Sequence, residues 1–326
     1  MSIKTCIGDP LYDSNKFKIA IVLVVFSVIS VISSSIVVFF YCAYNRMRRE
    51  FLSFLIFLLA VLDILCWLNI IITASYYLEH GKGINCVSND FCVFMGFIWS
   101  LSELLNYGVT LLISLSLYMA LMKNIDPAQY KNRMLIGVFV ISFIFALLPF
   151  WWHANRDLVY DNNLTDMAYG PVDDFKCWIT NREARITIFY IPMWLVIVLN
   201  TSIMIIFLKG LHLQMFDELH DRYHTRFTMF PVIMMICYVV SSIRRIIQLC
   251  TGNDDTNFYL DLFMYILMPL QGFFNTIVFG MFEEFIRVRI KAFILCDWQK
   301  LRELKDQETE EEAVSQDQGF NLEVTN

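Results

Sequence analysis

Charged residues are scarce in this chain, at 17% of the 326 residues, whereas soluble domains have about 25%. Glycine and proline are also few, with 12 and 7 residues. The low charge and the few glycines and prolines argue against a soluble enzyme and against a disordered chain. There is no excess of basic residues, since the net charge is −6. We therefore expect no nucleic acid partner.

Motifs of the common catalytic and cofactor sites are also missing. The sequence has no glycine-rich phosphate loop, no Gly-x-Ser-x-Gly and no His-Glu-x-x-His. His220 and His224 have the spacing of two metal ligands on one helical face, but solvated loop histidines are the commoner explanation of such a pair. We expect that the protein is not an enzyme and has no cofactor and no metal site.

Apolar residues, by contrast, make up 57% of the sequence. They are concentrated in seven segments, each long enough to cross a hydrocarbon core of about 30 Å, which takes about 20 helical residues. Lipid offers the backbone no hydrogen-bonding partners, so these segments must be helices. The predicted fold class is an all-α membrane protein, a bundle of seven transmembrane helices over residues 17–281. The predicted spans are Phe17–Ala43, Phe51–Leu78, Cys92–Met122, Met134–Trp152, Arg185–Lys209, Phe227–Cys250 and Phe258–Met281.

The connections between these segments differ in charge. The stretch YNRMRRE after the first span is basic, as are the later connections on the same side, whereas DLVYDNNLTDMAYGPVDDF and GNDDTNF on the other side are acidic. The positive-inside rule then predicts a cytosolic C-terminus and an extracellular N-terminus, residues 1–16. No separate signal peptide is visible, so we expect the first span to direct its own insertion. The basic residues of the later inner connections are Lys123, Lys131, Arg133, Lys209, Arg222, Arg226, Arg287, Arg289 and Lys291.

Two further segments follow the last span. Apolar residues recur at helical spacing among basic ones in FEEFIRVRIKAFILC, which predicts an amphipathic helix on the inner leaflet over residues 282–296. Cys296 at its end is a candidate for lipidation, although a plain cysteine is the commoner alternative. Residues 297–326 are acidic and poor in apolar side chains, which predicts a disordered cytoplasmic tail.

The predicted outer side contains two candidate modification sites. Asn163 begins the glycosylation sequon Asn-Leu-Thr, although short sequons also arise by chance. Cys92 opens the third span and Cys177 lies in the second outer loop, in a compartment that permits disulfides. We predict a bond between these two cysteines, with Cys86 and Cys6 as competing partners because sequence does not determine connectivity.

Polar residues inside the predicted spans are candidate functional residues, since such side chains are costly in lipid and are usually paired or functional. Asp63 and Asn275 could share one polar network across the second and seventh spans. Glu103 and Asn106 are three residues apart and so lie on one face of the third span. This face is a candidate part of a ligand site, and hydrogen bonding that only joins helices is the alternative.

Four short motifs resemble the cyclic-AMP-receptor-like family, the class E G-protein-coupled receptors. In chain order they lie in SLYMALMK, CWITNREARITIFYIPMW, FPVIMMICYVVSSIRRI and LQGFFNTIVFG. Two positions depart from the family pattern: Tyr238 replaces a tryptophan and Arg244 an asparagine. Asp63, in LAVLD, resembles the second-helix aspartate of the wider superfamily, which holds a sodium ion and switches with activation. The resemblance implies a plasma-membrane receptor that binds an extracellular ligand and activates a heterotrimeric G protein.

Arg244 and Arg245 stand side by side in the sixth predicted span. Neighbouring helical residues point about 100° apart, so the two side chains cannot face the same way. Arg245 matches the arginine of the family pattern, and we therefore expect it to face the bundle and bind an anion, with Lys176, Arg182 and Arg185 adding positive charge. We expect Arg244 to point towards the outer interface. The alternative is a structural ion pair with an acid such as Asp261 or Glu103.

The leading hypothesis is a receptor whose extracellular ligand is small and anionic, in the manner of a cyclic nucleotide. Pro192 and Pro231 can kink the fifth and sixth helices, which suits a bundle that opens on the cytosolic side. The alternative hypothesis is a multispan transporter or channel that uses the intramembrane charges of Asp63, Glu103 and Arg245. The sequence has no inverted repeats of the kind that transporters show, which argues against it.

Overall fold

The structure, a computed structural model, describes residues 14–80, 89–156, 168–172, 176–213, 218–251 and 258–282, and the single residues 288, 292, 295, 297, 299, 300 and 303. These residues are largely helical, with one two-stranded sheet. Their contacts divide the chain into two units, Met1–Thr276 and Ile277–Asn326. All the contacts discussed below lie within the first unit.

Ten α-helices occur in the described part of the chain. Two π-helical turns, Tyr118–Met122 and Ile186–Tyr190, and one 3₁₀ turn, Pro127–Tyr130, lie between some of them. The α-helices are α1 (Ser14–Ala43), α2 (Asn45–Arg49), α3 (Phe51–His80), α4 (Asn89–Leu117), α5 (Lys131–Arg156), α6 (Arg182–Arg185), α7 (Ile191–Leu213), α8 (Glu218–Thr251), α9 (Phe258–Leu267) and α10 (Leu270–Phe282).

Within the described residues, six helical stretches are long and apolar enough to cross a membrane. Large apolar side chains remain exposed on them, for example Ile136 and Trp151 on α5, each 63% exposed, as expected of helices that face lipid. The fold is therefore of the all-α membrane type. The sixth predicted span lies in α8, which is not among the six, so the count of seven spans stays a prediction. The six stretches are Asn15–Ala43, Phe51–Glu79, Asp90–Ala120, Pro127–Trp152, Arg182–Ile206 and Phe258–Gly280.

The fifth predicted span is not one regular helix. It begins at α6, where the Asn181 side chain accepts a hydrogen bond from the Ala184 backbone N–H at 2.9 Å and so caps the helix. The π-helical turn Ile186–Tyr190 follows, and α7 starts just before Pro192. Proline has no N–H, and its ring collides with the carbonyl four residues earlier, so a wider turn can accommodate it. At Pro231, in contrast, α8 continues without interruption.

The seventh predicted span, expected as one helix, is broken into α9 and α10 at Met268–Pro269. Pro269 was not singled out from the sequence, although its missing N–H is the physical reason for a break at this position. Around the break, Met268 N donates to Met264 O at 3.0 Å and Gln271 N to Met268 O at 3.3 Å. The polar residues of α10 therefore begin directly after a turn.

A β-hairpin, β1 (Tyr169–Val172) and β2 (Lys176–Ile179), lies in the loop after α5, where the sequence predicted no strand. The strands are antiparallel, with Gly170 opposite Trp178 and Pro171 opposite Cys177. All four residues of β2 are buried. Lone loop segments this short rarely show a strand pattern in sequence, because only the pairing makes them strands. We call the end of the bundle at which this hairpin lies the hairpin end.

Tyr169 attaches the hairpin to two helices. Its hydroxyl donates to the Ala146 carbonyl of α5 at 2.7 Å. Burial raises the pKa of the Tyr169 phenol well above its usual range, so the group stays a neutral donor. A Cβ atom added to Gly96 of α4 would lie 2.9 Å from the Tyr169 ring, so this close approach of strand and helix requires glycine.

Some predictions concern residues outside the described part of the chain. The glycosylation candidate Asn163, the lipidation candidate Cys296 and the competing cysteines Cys6 and Cys86 all lie there. The predicted extracellular N-terminus lies there as well, except for residues 14–16, which belong to α1. The predicted amphipathic helix over 282–296 and the predicted acidic tail also lie there, apart from Phe282 of α10 and a few single residues.

Candidate functional site

A disulfide connects the hairpin to the bundle. The Sγ atoms of Cys92, in α4, and Cys177, in β2, are 2.06 Å apart, and their Cα atoms 5.2 Å apart. This is the pairing favoured from the sequence over the competing cysteines. Because Cys177 directly precedes Trp178, the bond holds the backbone of Trp178 against α4.

Trp178 lies at the centre of a cluster of aromatic side chains. Its ring centroid is 4.9 Å from that of Trp99 and 5.1 Å from that of Phe189, both edge to face, and 6.0 Å from that of Tyr190. Trp178 is 1% exposed. The hairpin therefore inserts its largest side chain among α4 and the start of the fifth predicted span, where edge-to-face ring pairs stabilise it.

Three basic side chains surround this indole. Lys176 Nζ is 4.8 Å, Arg185 Cζ 4.9 Å and Arg245 Cζ 5.2 Å from the ring centroid of Trp178. Each such cation–π contact is worth about 0.5–2 kcal/mol. We call Lys176, Trp178, Arg185 and Arg245 the cation–indole cluster. The three cations were predicted as site residues from the sequence, but Trp178 was not. Its position in the Cys-Trp-Ile motif was the signal that could have identified it.

Arg245 is buried inside the bundle, with 4% of its surface exposed. Its Nε donates to the Tyr190 hydroxyl at 3.1 Å and its Nη1 to Gln248 Oε1 at 2.5 Å. The Tyr190 hydroxyl is also 3.0 Å from Ser241 Oγ. In the described structure the groups that accept from Arg245 are therefore neutral, and no carboxylate balances its charge.

The expectation that Arg244 points towards the outer interface is wrong. The side chain does not reach the outer interface, because it is 3% exposed and pairs with Asp261 of α9, with Nε 2.5 Å from Oδ1. The Asp261 carboxylate offsets part of the cost of burying the Arg244 guanidinium. The structural ion pair that we considered as the alternative therefore describes Arg244, and Asp261 is its partner.

Glu103, expected near the ligand, lies outside the cation–indole cluster in the described contacts. Its Oε2 accepts a hydrogen bond from the Tyr238 hydroxyl at 2.6 Å. Both side chains are 1% exposed. This bond connects α4 with α8 at the position where the family pattern has tryptophan, and an indole N–H could not supply the same hydroxyl donor in the same place.

A second polar group forms around Asp63 of α3. Its Oδ1 accepts from Asn106 Nδ2 at 2.6 Å and its Oδ2 from Asn275 Nδ2 at 3.3 Å. Gln271 Nε2 donates to Asn106 Oδ1 at 3.1 Å. The structure thus brings Asp63 and Asn275 together and adds Asn106, which had been expected in the ligand site. Gln271 was not predicted from the sequence, because its partner Asn106 is 165 residues away along the chain.

Gly272 lets α10 approach α1 closely at this polar group. A Cβ atom there would meet Ser30 Oγ and would lie 2.7 Å from Ser34 Oγ and 3.3 Å from Asp63 Oδ2. The two serine hydroxyls have no hydrogen-bond partner in the described structure. Only glycine, which has no side chain, allows these oxygens to come so near the α10 backbone.

Replacing Gly272 by alanine should destabilise the protein by about 1–3 kcal/mol, because the added methyl group overpacks the contact with α1. Thermal unfolding in detergent micelles measures this. Ser30→Ala in the Gly272→Ala background removes the nearest clashing atom and should recover part of the loss. The control is Gly137→Ala in α5, where a Cβ atom meets nothing within 4 Å. That variant should be unchanged or more stable, and equal losses at both glycines would contradict the contact.

Comparison with known proteins gives one informative similarity, and no protein-family model matches the chain. The chain is 24% identical over 278 residues to a protein of Dictyostelium discoideum named "Cyclic AMP receptor-like protein A", an alignment that covers 82% of this chain and 67% of that protein. The similarity supports the resemblance of the motifs to cyclic-AMP-receptor-like proteins. It also agrees with a multi-pass membrane protein of receptor-like type.

Proposed function

We propose that this protein is a G-protein-coupled receptor of the plasma membrane with seven spans, and that α8 contains the sixth. The six apolar helices, the motifs in SLYMALMK and LQGFFNTIVFG, and the similarity to a cyclic AMP receptor-like protein support this. Residues 1–16 and the hairpin end are outside the cell, and the basic connections face the cytosol, in line with the positive-inside rule.

The observation that carries the proposal is the cation–indole cluster under the hairpin. A ligand that binds at the extracellular end meets positive charge there, and guanidinium groups suit phosphate or carboxylate because their donors form a planar fork. The ligand is therefore small and anionic. The name of the Dictyostelium protein makes cyclic AMP the first compound to test.

The signal passes from Arg245 to Glu103 of α4 through contacts between helices. Arg245 binds Tyr190, which contacts Ser241 of α8. Tyr238 is three residues before Ser241 on the same helical face and binds Glu103 of α4. A ligand changes the receptor only if it binds the active arrangement more tightly than the inactive one, and Arg245 is the residue through which it does so.

Nucleotide exchange on a purified heterotrimeric G protein, with the receptor in lipid nanodiscs, tests the proposal. Cyclic AMP should accelerate exchange, whereas adenosine, which has the same base without the phosphate, should not. Nanodiscs without receptor are the control. If no anion in a panel of nucleotides and carboxylates accelerates exchange, while the same protein moves one of them into liposomes, the protein is a transporter and the proposal is wrong.

A further inference from the structure

The cation–indole cluster is closed in this structure. Lys176 is 5%, Arg185 8% and Arg245 4% exposed, and Trp178 itself is 1% exposed. The indole lies against all three cations at 4.8–5.2 Å. The Arg245 guanidinium is therefore out of reach of an anion in this arrangement, and the Trp178 ring lies directly against it.

The charge of the Arg245 guanidinium is not balanced by a carboxylate in the described structure. Arg245 binds only neutral acceptors in the described structure, and a buried guanidinium without a carboxylate is costly. The group that satisfies such a guanidinium is an acceptor with negative charge.

We propose that Trp178 closes an anion-binding site built on Lys176, Arg185 and Arg245, and that a small anion with several acceptor oxygens, such as a phosphate ester, binds once the indole has moved aside. This inference rests on the proposed function, because it takes the hairpin end as extracellular. The aromatic ring occupies the place that the anion takes when it binds, and the cation–π contacts that hold the ring there are weaker than a charge-assisted bond between guanidinium and anion.

The opening requires a movement of the Trp178 side chain and not of the whole hairpin. The disulfide fixes Cys177 to α4, Tyr169 is bound to Ala146, and Arg185 Nε donates to the Ile179 carbonyl at 2.9 Å. The strand is therefore attached on both sides of Trp178. A change of the Trp178 rotamer opens the site without releasing these attachments.

The reaction rate of a cysteine introduced inside the site measures how far Trp178 closes the site to reagents from solvent. Ser241→Cys places a thiol beside the Tyr190 hydroxyl, one helical turn from Arg245. The rate at which this thiol reacts with a negatively charged and with a positively charged methanethiosulfonate is measured in nanodiscs. Cys42 and Cys250 are exposed and also react. The reaction rate of the protein without the Ser241→Cys change is therefore subtracted.

Trp178→Ala in the Ser241→Cys background should raise the rate with the anionic reagent at least about tenfold, and more than with the cationic reagent, because nearby unit charges attract one and repel the other. Arg245→Gln added to this variant should reduce the preference for the anion. Inorganic pyrophosphate should protect the thiol of the Trp178→Ala variant, compared with sodium chloride of equal ionic strength.

Trp99→Ala is the matched control. It removes an equally buried indole from the same ring cluster, but no cation contact is found for Trp99 in the described structure, so the thiol should stay protected. If Trp178→Ala leaves the rate unchanged, or if Trp99→Ala raises it as much, Trp178 does not close the site. If both reagents react equally fast in the open variant, or pyrophosphate gives no protection, the site is not one for anions.

This assay uses neither an agonist nor a G protein. Failure here therefore overturns the closure by Trp178 while exchange on the G protein can still succeed. Conversely, a protein that opens and binds pyrophosphate without any effect on nucleotide exchange retains this site and loses the proposed receptor function.

Discussion

Arg245→Ala should weaken the response to the ligand by about 2–5 kcal/mol, the usual cost of removing one partner of a desolvated charge pair. Since each 1.4 kcal/mol is a factor of about ten, the half-maximal concentration rises by more than about tenfold. The guanidinium is buried and bound only to neutral acceptors in the described structure, so no carboxylate competes with the ligand for it. Ligand-dependent nucleotide exchange measures the effect.

Arg245→Lys separates charge from geometry. Lysine keeps the charge but has no planar fork of donors and cannot reproduce the bond from Nε to Tyr190. Its loss should be smaller than that of alanine but still measurable.

Gln248→Leu is the control for Arg245, because it removes a hydrogen-bond acceptor of Arg245 and leaves the charge in place. It should cost about 1 kcal/mol. Each variant is first checked for normal amounts at the cell surface. If Arg245→Ala reaches the surface and responds at the unchanged ligand concentration, the arginine is structural and the anionic ligand is the wrong class.

Asp261→Asn should destabilise the protein by about 3 kcal/mol or more, because it leaves the Arg244 charge without its carboxylate in the interior. Arg244 is 3% and Asp261 16% exposed, so solvent screens the pair little. Asparagine has nearly the same shape, and the change therefore reports the lost charge and not a cavity. Thermal unfolding in detergent micelles measures the loss.

The double variant Arg244→Leu with Asp261→Leu tests whether the pair acts as a pair. Replacing both charges by apolar groups is often neutral for buried ion pairs, whereas removing one partner is not. The double variant should therefore be more stable than Asp261→Asn. A single variant as stable as the unchanged protein, or a double variant less stable than the single one, would show that the ion pair does not stabilise the interior.

The positions of the long helices could be predicted from composition, because the need to satisfy the backbone in lipid acts on each segment separately. The predicted second span, Phe51–Leu78, and the helix α3, Phe51–His80, begin at the same residue. The break at Pro269 was missed, yet it too has a local cause in the missing N–H of proline. The strands β1 and β2 had no such local cause, since each exists only through pairing with the other.

The two arginines show the limit of the local argument. The angle of about 100° between neighbours in a helix predicted different surroundings for Arg244 and Arg245, and the structure has different partners for them. The angle could not predict that both are buried, because that depends on Asp261 and Tyr190, which come from other segments.

The sequence by itself determined the all-α membrane type of the fold, most of the helical segments, the polar residues that lie among apolar ones, and the pair of cysteines that was favoured for the disulfide. These follow from composition, period and charge within single segments. Only the tertiary structure decided which other polar residues meet: Glu103 with Tyr238 across 135 positions, Asn106 with Gln271 across 165, and three cations around Trp178. The sequence pattern of one helix indicates which of its faces is polar. The residue that this face contacts depends on how the other helices pack against it, which is not encoded within a single segment.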